Sequence, residues 1–278
     1  MEICRREVEY RSGDTFRLYD LGDIHGGTVH CAEDKASRVF GSIVDDPFAL
    51  WWDKGDSLDC ITPGDPRFRY KIIAPWLVQD NIAKLSEDWY CNLVEKAVAA
   101  RLPYADASRC LGKVKGNHEW EMQRHNIADI QSNICKRLDI TNMGYSCFYH
   151  LAFKRVNSTE AHLFRFHVTH GSGNAQTSGG RTQKLRKIMN QTTALYTSVA
   201  HMHDVKVETT PALDSGQDLK LKGRNRIGVI SGSFLRTYTQ GEEAGYGELR
   251  NYDPTTLGYV MWEINPGEES ITAKPKYV

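Results

Sequence analysis

Phe48-Ala49-Leu50-Trp51-Trp52, followed closely by Gly55-Asp56-Ser57-Leu58-Asp59, is an apolar run that hands over to a glycine and a pair of carboxylates. A short apolar run rich in aromatic residues reads as a buried strand. A glycine after it lets the backbone turn sharply or approach another group closely. Asp56 then stands where a strand passes into a loop, which is where open α/β sheets bind their ligands. Alone, Gly-Asp after a strand is most often a plain turn. The reading depends on what else the chain places at strand ends.

Upstream, Phe16-Arg17-Leu18-Tyr19-Asp20-Leu21 partly alternates apolar and polar and runs into Gly22-Asp23-Ile24-His25-Gly26-Gly27. Residues i and i+2 of an extended segment project to one side, so Asp23 and His25 can converge on one point. Ala36, Val39, Phe40 and Ile43 recur at helical spacing between the two runs. Strand, helix and strand make a βαβ unit with both carboxylate loops at the same sheet edge.

Downstream, Cys110 to Lys115 reads as a third strand and runs into Gly116-Asn117-His118-Glu119, with Ile127, Ile130, Ile134 and Leu138 as the apolar stripe of a helix behind it. An Asn ahead of a helix is ordinarily an N-cap. Tyr145 to Lys154 and Leu163 to Thr169 are rich in aromatic and β-branched residues and read as strands, the second ending in His170-Gly171. His167 points to the opposite face from His170 and reads as a core histidine. After a Gly/Ser/Thr loop, Arg181, Lys184, Arg186 and Lys187 share a helix with the apolar Leu185, Ile188 and Met189. Such charges are by default a solvated face; their place just after His170 makes substrate-phosphate binding the alternative. Leu195 to Val199 leads to Ala200-His201-Met202-His203, and the remainder, through Ile227 to Ser233 and Leu257 to Ile264, is mainly strand.

Cys60 to Pro103 carries a turn signal at Pro63-Gly64-Asp65-Pro66 and a stripe of Ile82, Leu85, Trp89 and Leu93. It is expected to be a helical insertion, at about 60–110, covering the sheet near the site entrance.

The length of 278 residues suits one domain spanning 1–278. Lys+Arg and Asp+Glu are both 35, so no global field draws the chain to nucleic acid or a membrane, and any such binding needs a local patch. Seven cysteines without a Cys-x-x-Cys pair indicate neither a disulfide framework nor a zinc ribbon, and read as buried thiols in a reducing cytosol. Met1 to Tyr10 is charged and lacks the apolar core of a secretory signal. No apolar run approaches the roughly 18 residues of a membrane span. A cytoplasmic protein is expected.

Five polar clusters therefore stand at strand ends: Asp23/His25, Asp56/Asp59, Asn117/His118, His170 and His201/His203. In this order, over residues 23–203, they resemble the calcineurin-like metallophosphoesterase superfamily. Its pattern is Asp-x-His, Gly-Asp-x-x-Asp, Gly-Asn-His-Glu/Asp, a lone His and Gly-His-x-His. Ala200 stands where the family usually has Gly. The resemblance implies an α/β fold, a four-layer αββα sandwich with two mixed β-sheets. It implies two divalent metal ions, Mn first, with Fe, Zn or Ni as alternatives. Two such ions about 3.5–4 Å apart can clamp a phosphoryl group and activate a water. By the same resemblance Asp56 bridges both ions, Asp23, His25 and His203 complete one, and Asn117, His170 and His201 complete the other. His118 stays off the metals and protonates the leaving oxygen, while Asp59 accepts from its other nitrogen and fixes its tautomer.

The expected substrate is a phosphate ester, first a phosphodiester in a nucleotide or nucleic acid, with Arg181, Lys184 and Lys187 holding phosphate. Phosphoprotein phosphatases of the superfamily have Arg directly after Gly-Asp-x-x-Asp and directly before Gly-Asn-His-Glu; this chain has Cys60 and Lys115 there. A phosphomonoesterase or phosphoprotein phosphatase is the alternative, and a non-catalytic scaffold of the same fold the third reading.

Overall fold

The computed structural model describes residues 1–65, 68–173, 175–215 and 220–278. The chain begins with β1 (Glu2–Tyr10), β2 (Phe16–Leu21), α1 (Glu33–Asp45), β3 (Ala49–Asp53), α2 (Ile82–Ala99) and β4 (Cys110–Lys113). It continues through α3 (Asn117–Arg124), α4 (Ile130–Leu138), β5 (Ser146–Arg155), β6 (Ala161–Thr169), α5 (Ser178–Met189) and β7 (Tyr196–Val199). It ends with β8 (Val205–Ser215), β9 (Leu221–Ser231), α6 (Tyr246–Leu249), β10 (Gly258–Asn265) and β11 (Ser270–Tyr277).

One sheet runs β1-β5-β6-β7-β9-β8 and the other β11-β10-β2-β3-β4. Both are mixed: β2, β3 and β4 are parallel while β10 is antiparallel to its two neighbours, and β6, β7 and β9 are parallel while β5/β6 and β8/β9 are antiparallel. The period of two in β3 divides its side chains between two cores. Ala49 and Trp51 join Val39, Phe40, Tyr90 and Ile134 of the covering helices. Leu50 and Trp52 join Phe16, Leu18 and Trp262 against Tyr149, Phe164 and Phe166 of the other sheet. A slip of one residue would exchange the two sets, so large residues on both faces pin the register. Beyond the second sheet, Leu185 and Met189 of α5 pack on Val199 and Ile230. The result is the four-layer αββα sandwich with two mixed β-sheets.

Four details depart from the sequence reading. Among the described residues of 60–110 only Ile82–Ala99 is α-helix, with single 3-10 turns at Tyr70–Ile72 and Gln79–Asn81; the Pro-Gly turn at 63–64 and Pro75 break the rest. Pro66 of the predicted turn lies outside the described residues. The buried stripe of α2 is Ile82, Ser86, Tyr90, Cys91, Val94 and Ala97, rotated from the expected one. Leu85, Trp89 and Leu93 are half-buried at its edge. Ile127 is 47% exposed and belongs to neither helix, because Asn126 takes a left-handed φ of 56° and Asp129 caps a new helix by accepting from the Ser132 N–H at 3.2 Å. Strand β1, not expected, pairs in parallel with β5 and buries Cys4, Val8 and Tyr10 on alternate positions.

Trp76 and Trp89 of this segment reach the strand-end loops. Trp89 stacks on Trp76, centroids 5.6 Å apart, and lies directly over Gly26, where a Cβ would fall 2.1 Å from its ring. All seven cysteines are free and buried. Among the described residues, no helix is long and apolar enough to cross a membrane.

Candidate metal centre

The loops after β2, β3, β4, β6 and β7 meet at one edge of the two sheets. Backbone bonds sew them together: Asp23 N–H to Gly55 O, His25 N–H to Asp56 O and Gly26 N–H to Ser57 O, each 2.9 Å, and Ala200 N–H to His170 O at 3.0 Å. Gly55 and Gly116 are needed because their loops touch main chain to main chain: a Cβ on Gly55 would sit 2.3 Å from Gly116 N. Asp23, His25, Asp56, His201 and His203 all take left-handed φ, between 46° and 67°. A non-glycine residue held there costs on the order of 1–3 kcal/mol and persists only where its surroundings over-determine it. Five of the predicted ligands are held in this conformation by the loops around them.

Three overlapping groups have ligand atoms within 4.8 Å of one another: Asp23/His25/His203, His25/Asp56/His118 and Asp56/His170/His201. His170 Nε2 is 2.9 Å from Asn117 Oδ1, 3.1 Å from Asp56 Oδ2 and 3.3 Å from His201 Nδ1. His25 Nε2 is 3.1 Å from His203 Nε2, which is 3.7 Å from Asp23 Oδ1. The far sides of two rings are tied off. His170 Nδ1 donates to Lys54 O at 2.7 Å and His25 Nδ1 to Asp59 Oδ1 at 3.0 Å, leaving each Nε2 facing inward.

These residues fit divalent ions. Asp23 Oδ1 is buried without a hydrogen-bond partner, and two inward imidazole nitrogens face each other with only a proton or a cation able to reconcile them. Burial raises the Asp23 carboxyl well above its usual range. It holds His201 down at about 4, helped by the nearby His170 charge, and takes His203 well below the ordinary histidine value. Burial opposes ionisation of Asp56, but His170 and His118 outweigh it and keep the carboxylate well below the usual range. Burial likewise disfavours charge on His170, yet the Asp56 carboxylate prevails and lifts it to about 9. A divalent ion would take the place of the protons on His170 and Asp23, and imidazoles, carboxylates and an amide oxygen are the mixed N/O donor set of borderline divalent metals.

Residues outside the expected set position this one. Glu119 accepts from Asp56 N–H at 3.0 Å, Ser57 N–H at 2.9 Å and Gly116 N–H at 3.1 Å, so one carboxylate ties two of the loops. It is buried with Lys113, which lies 3.5 Å from it and 3.4 Å from Asp53. Behind His170, buried Lys54 pairs with Asp20 at 2.7 Å, and Asp20 accepts from Trp52 and Trp262. The signal was present: Asp53-Lys54 ends an apolar strand, and charges in such a place are buried only when paired. Glu119→Gln keeps the shape but replaces one acceptor oxygen with an amide NH2 that faces N–H donors. It also weakens the compensation of Lys113. The expected loss is about 3 kcal/mol in urea unfolding, with divalent-ion affinity down about 10–100-fold by calorimetric titration. Unchanged stability and affinity would remove Glu119 from this role.

His118 heads α3. Its N–H donates to Asp56 Oδ1 at 2.9 Å, its Nδ1 donates to the Asp59 main-chain carbonyl, and its Nε2 lies 4.0 Å from Asp56 Oδ2. The Asp59 carboxylate is nearer His25 Nδ1, at 3.0 Å, than His118 Nδ1, at 3.6 Å. The expected pairing of Asp59 with His118 thus runs chiefly through the carbonyl, while the carboxylate orients a candidate metal ligand.

A cavity of about 340 Å³ opens over His118, His25, Asp56, Asn117, His201 and His203. Of the three expected phosphate-binding cations, only Arg181 lines it; its Nη1 is 3.6 Å from Asp204. Lys184 and Lys187 lie one helical turn apart along α5 and line an adjoining cavity instead. Cys60 and Lys115 do not reach the site: Cys60 is buried, which pushes its thiol well above the ordinary range, and Lys115 bonds Gln123 and Asp129. The opposite wall is the connection from β9 to β10, with Arg236, Tyr246 and Tyr252. Its lack of periodicity concealed it in the sequence; only its tyrosines hinted at a surface.

No protein-family model matches the chain, and no curated protein does. Among solved structures, a calcineurin-like phosphoesterase, YfkN, from Bacillus subtilis matches 95% of this chain and 90% of its own at 11% identity and a TM-score of 0.40. GAP50 of Plasmodium, described as the anchor in the inner membrane complex, matches 95% and 84% at 12% identity and a TM-score of 0.44. A dimetal phosphatase from Danio rerio matches 95% and 99% at 10% identity and a TM-score of 0.34. At such identities the site is read from its own geometry.

Proposed function

We propose that this chain is a metal-dependent phosphoesterase that acts on phosphodiesters ahead of monoesters. The observation that carries the reading is the convergence of Asp23, His25, Asp56, Asn117, His170, His201 and His203 beneath an open cavity, with His118 at its floor. Asp23, His25 and His203 would hold one divalent ion and Asn117, His170 and His201 another, with Asp56 between them. Bound there, such ions supply Lewis-acid stabilisation of phosphoryl charge and an activated water. Mn is the first ion to try.

The protein's own groups do the rest. His118, oriented through Nδ1 by the Asp59 carbonyl, presents Nε2 to the cavity and in its protonated form gives that proton to the leaving oxygen. Arg181 and Arg236 offer N–H donors to non-bridging oxygens. Both guanidinium charges are already partly met, by Asp204 at 3.6 Å and Asp34 at 3.5 Å. The surplus positive charge for a dianionic monoester is therefore small, and a diester monoanion needs less of it. Seven buried free thiols fit a reducing compartment, and we infer a cytoplasmic site of action.

The test is kcat/KM for bis-nitrophenyl phosphate against nitrophenyl phosphate with Mn at one pH. A diester advantage of about tenfold is expected, the scale of one charge-assisted hydrogen bond. A tenfold monoester preference would reverse the specificity. Absence of turnover on either ester with any of Mn, Fe, Zn or Ni would overturn the hydrolase reading.

A further inference from the structure

The second cavity, of about 1030 Å³, shares Gly173, Ala175 and Gln176 with the cavity over the metal centre. No Asp or Glu is among its described lining residues; hydroxyls and amides such as Ser146, Thr169 and Gln183 alternate there with Lys184 and Lys187. Other cations of α5 and its surroundings are matched: Arg186 by Glu208, and Arg181 and Lys206 by Asp204. Lys184 and Lys187 meet no carboxylate within ion-pair distance among the described residues. The Lys184 ammonium donates to Gly173 O at 2.8 Å, and burial, then the neighbouring Lys187 charge, lowers its pKa. His167, 3% exposed, lines the same cavity; its Nε2 is 3.2 Å from Ser146 Oγ and its buried Nδ1 has no partner. Two like charges one turn apart, facing polar neutral groups, are best satisfied by an anion.

We propose that this second cavity binds a phosphate of the substrate other than the one at the metal centre, so that the preferred substrate carries two or more phosphates along one chain, as a short oligonucleotide does. The proposal rests on the phosphoesterase reading for what lies next door, and on its own residues for the anion. A mononucleotide or a simple diester fills only the first cavity. A single strand passing Gly173, Ala175 and Gln176, which line both cavities, would place successive phosphates in both. Sequence reading grouped Lys184 and Lys187 with Arg181 in holding substrate phosphate; in the structure they line the second cavity.

Two measurements on Lys184→Gln/Lys187→Gln test this. With Mn, KM for 5′-phosphorylated dithymidylate should rise about tenfold, while kcat and KM for bis-nitrophenyl phosphate stay within about twofold. With EDTA to stop turnover, a 5′-fluorescein-labelled tetrathymidylate should bind the variant about tenfold more weakly by anisotropy, and the slope of log K against log salt should fall by about 0.7, the value for one phosphate of a single strand. Lys184→Arg/Lys187→Arg should restore binding. Equal rises in KM for both esters, equal affinity for the tetrathymidylate, or no binding by the unaltered protein would each overturn the proposal. Binding that responds as expected in a chain without turnover would leave the second cavity standing and remove only the hydrolase reading.

Discussion

Asp56→Asn is expected to take up fewer than two Mn ions per chain, with affinity lower by more than about 100-fold. Asp56 is the common member of two of the three ligand groups. Its Oδ2 lies 3.1 Å from His170 Nε2, and its Oδ1 is already held by the His118 N–H at 2.9 Å. Asparagine keeps the size and one acceptor but removes the charge that offsets two cations. Losing an outer partner of a metal ligand typically costs about 10–100-fold in affinity, and a ligand shared between ions should exceed that. Elemental analysis of purified protein gives the stoichiometry. Thermal melting gives an independent readout, since ligand at about 100 times its Kd stabilises by about 2.7 kcal/mol, or on the order of 5–10 °C for a chain of this size. The unaltered protein should show that rise on adding Mn and the variant little of it. Two ions bound at undiminished affinity would show that Asp56 does not join the sites.

His118→Ala is expected to keep both ions and lose turnover by about 10²–10⁴-fold, the usual worth of a positioned general acid. The bond from the residue 118 N–H to Asp56 survives in alanine, so the ligand stays in place. The imidazole itself is lost, together with its tether to the Asp59 carbonyl. The deficit should be small for nitrophenyl esters, whose leaving oxygen needs little protonation, and large for alkyl esters. Equal deficits for both would argue against proton donation; loss of an ion along with turnover would make His118 a ligand, as its place in the His25/Asp56/His118 group allows.

Much of this protein is determined locally, and so could be read from order alone. Leu50 and Trp52 face one core and Ala49 and Trp51 the other because alternation in a strand is a property of covalent geometry. Glycines such as Gly26 and Gly55 mark places where chain passes close to chain. Polar clusters after successive strands fall at one sheet edge because parallel strands end together. The five polar clusters, Asp23/His25, Asp56/Asp59, Asn117/His118, His170 and His201/His203, are therefore legible as one group from the sequence, while the choice of ligands among them came from the family resemblance.

What the tertiary structure alone decided concerns pairs brought together from distant parts of the chain. Asp59 turns its carboxylate to His25 rather than wholly to His118, because the relative tilt of two loops, not their spacing, sets which nitrogen is nearer. Lys54 and Lys113 are buried because Asp20, Asp53 and Glu119 arrive beside them from other segments. The irregular connection from β9 to β10 becomes the cavity wall. Lys184 and Lys187 share a helix with Arg181 but not its cavity. A helix rotates about 100° per residue, and only its packing on the sheet, through Leu185 and Met189, settles which cation each cavity receives.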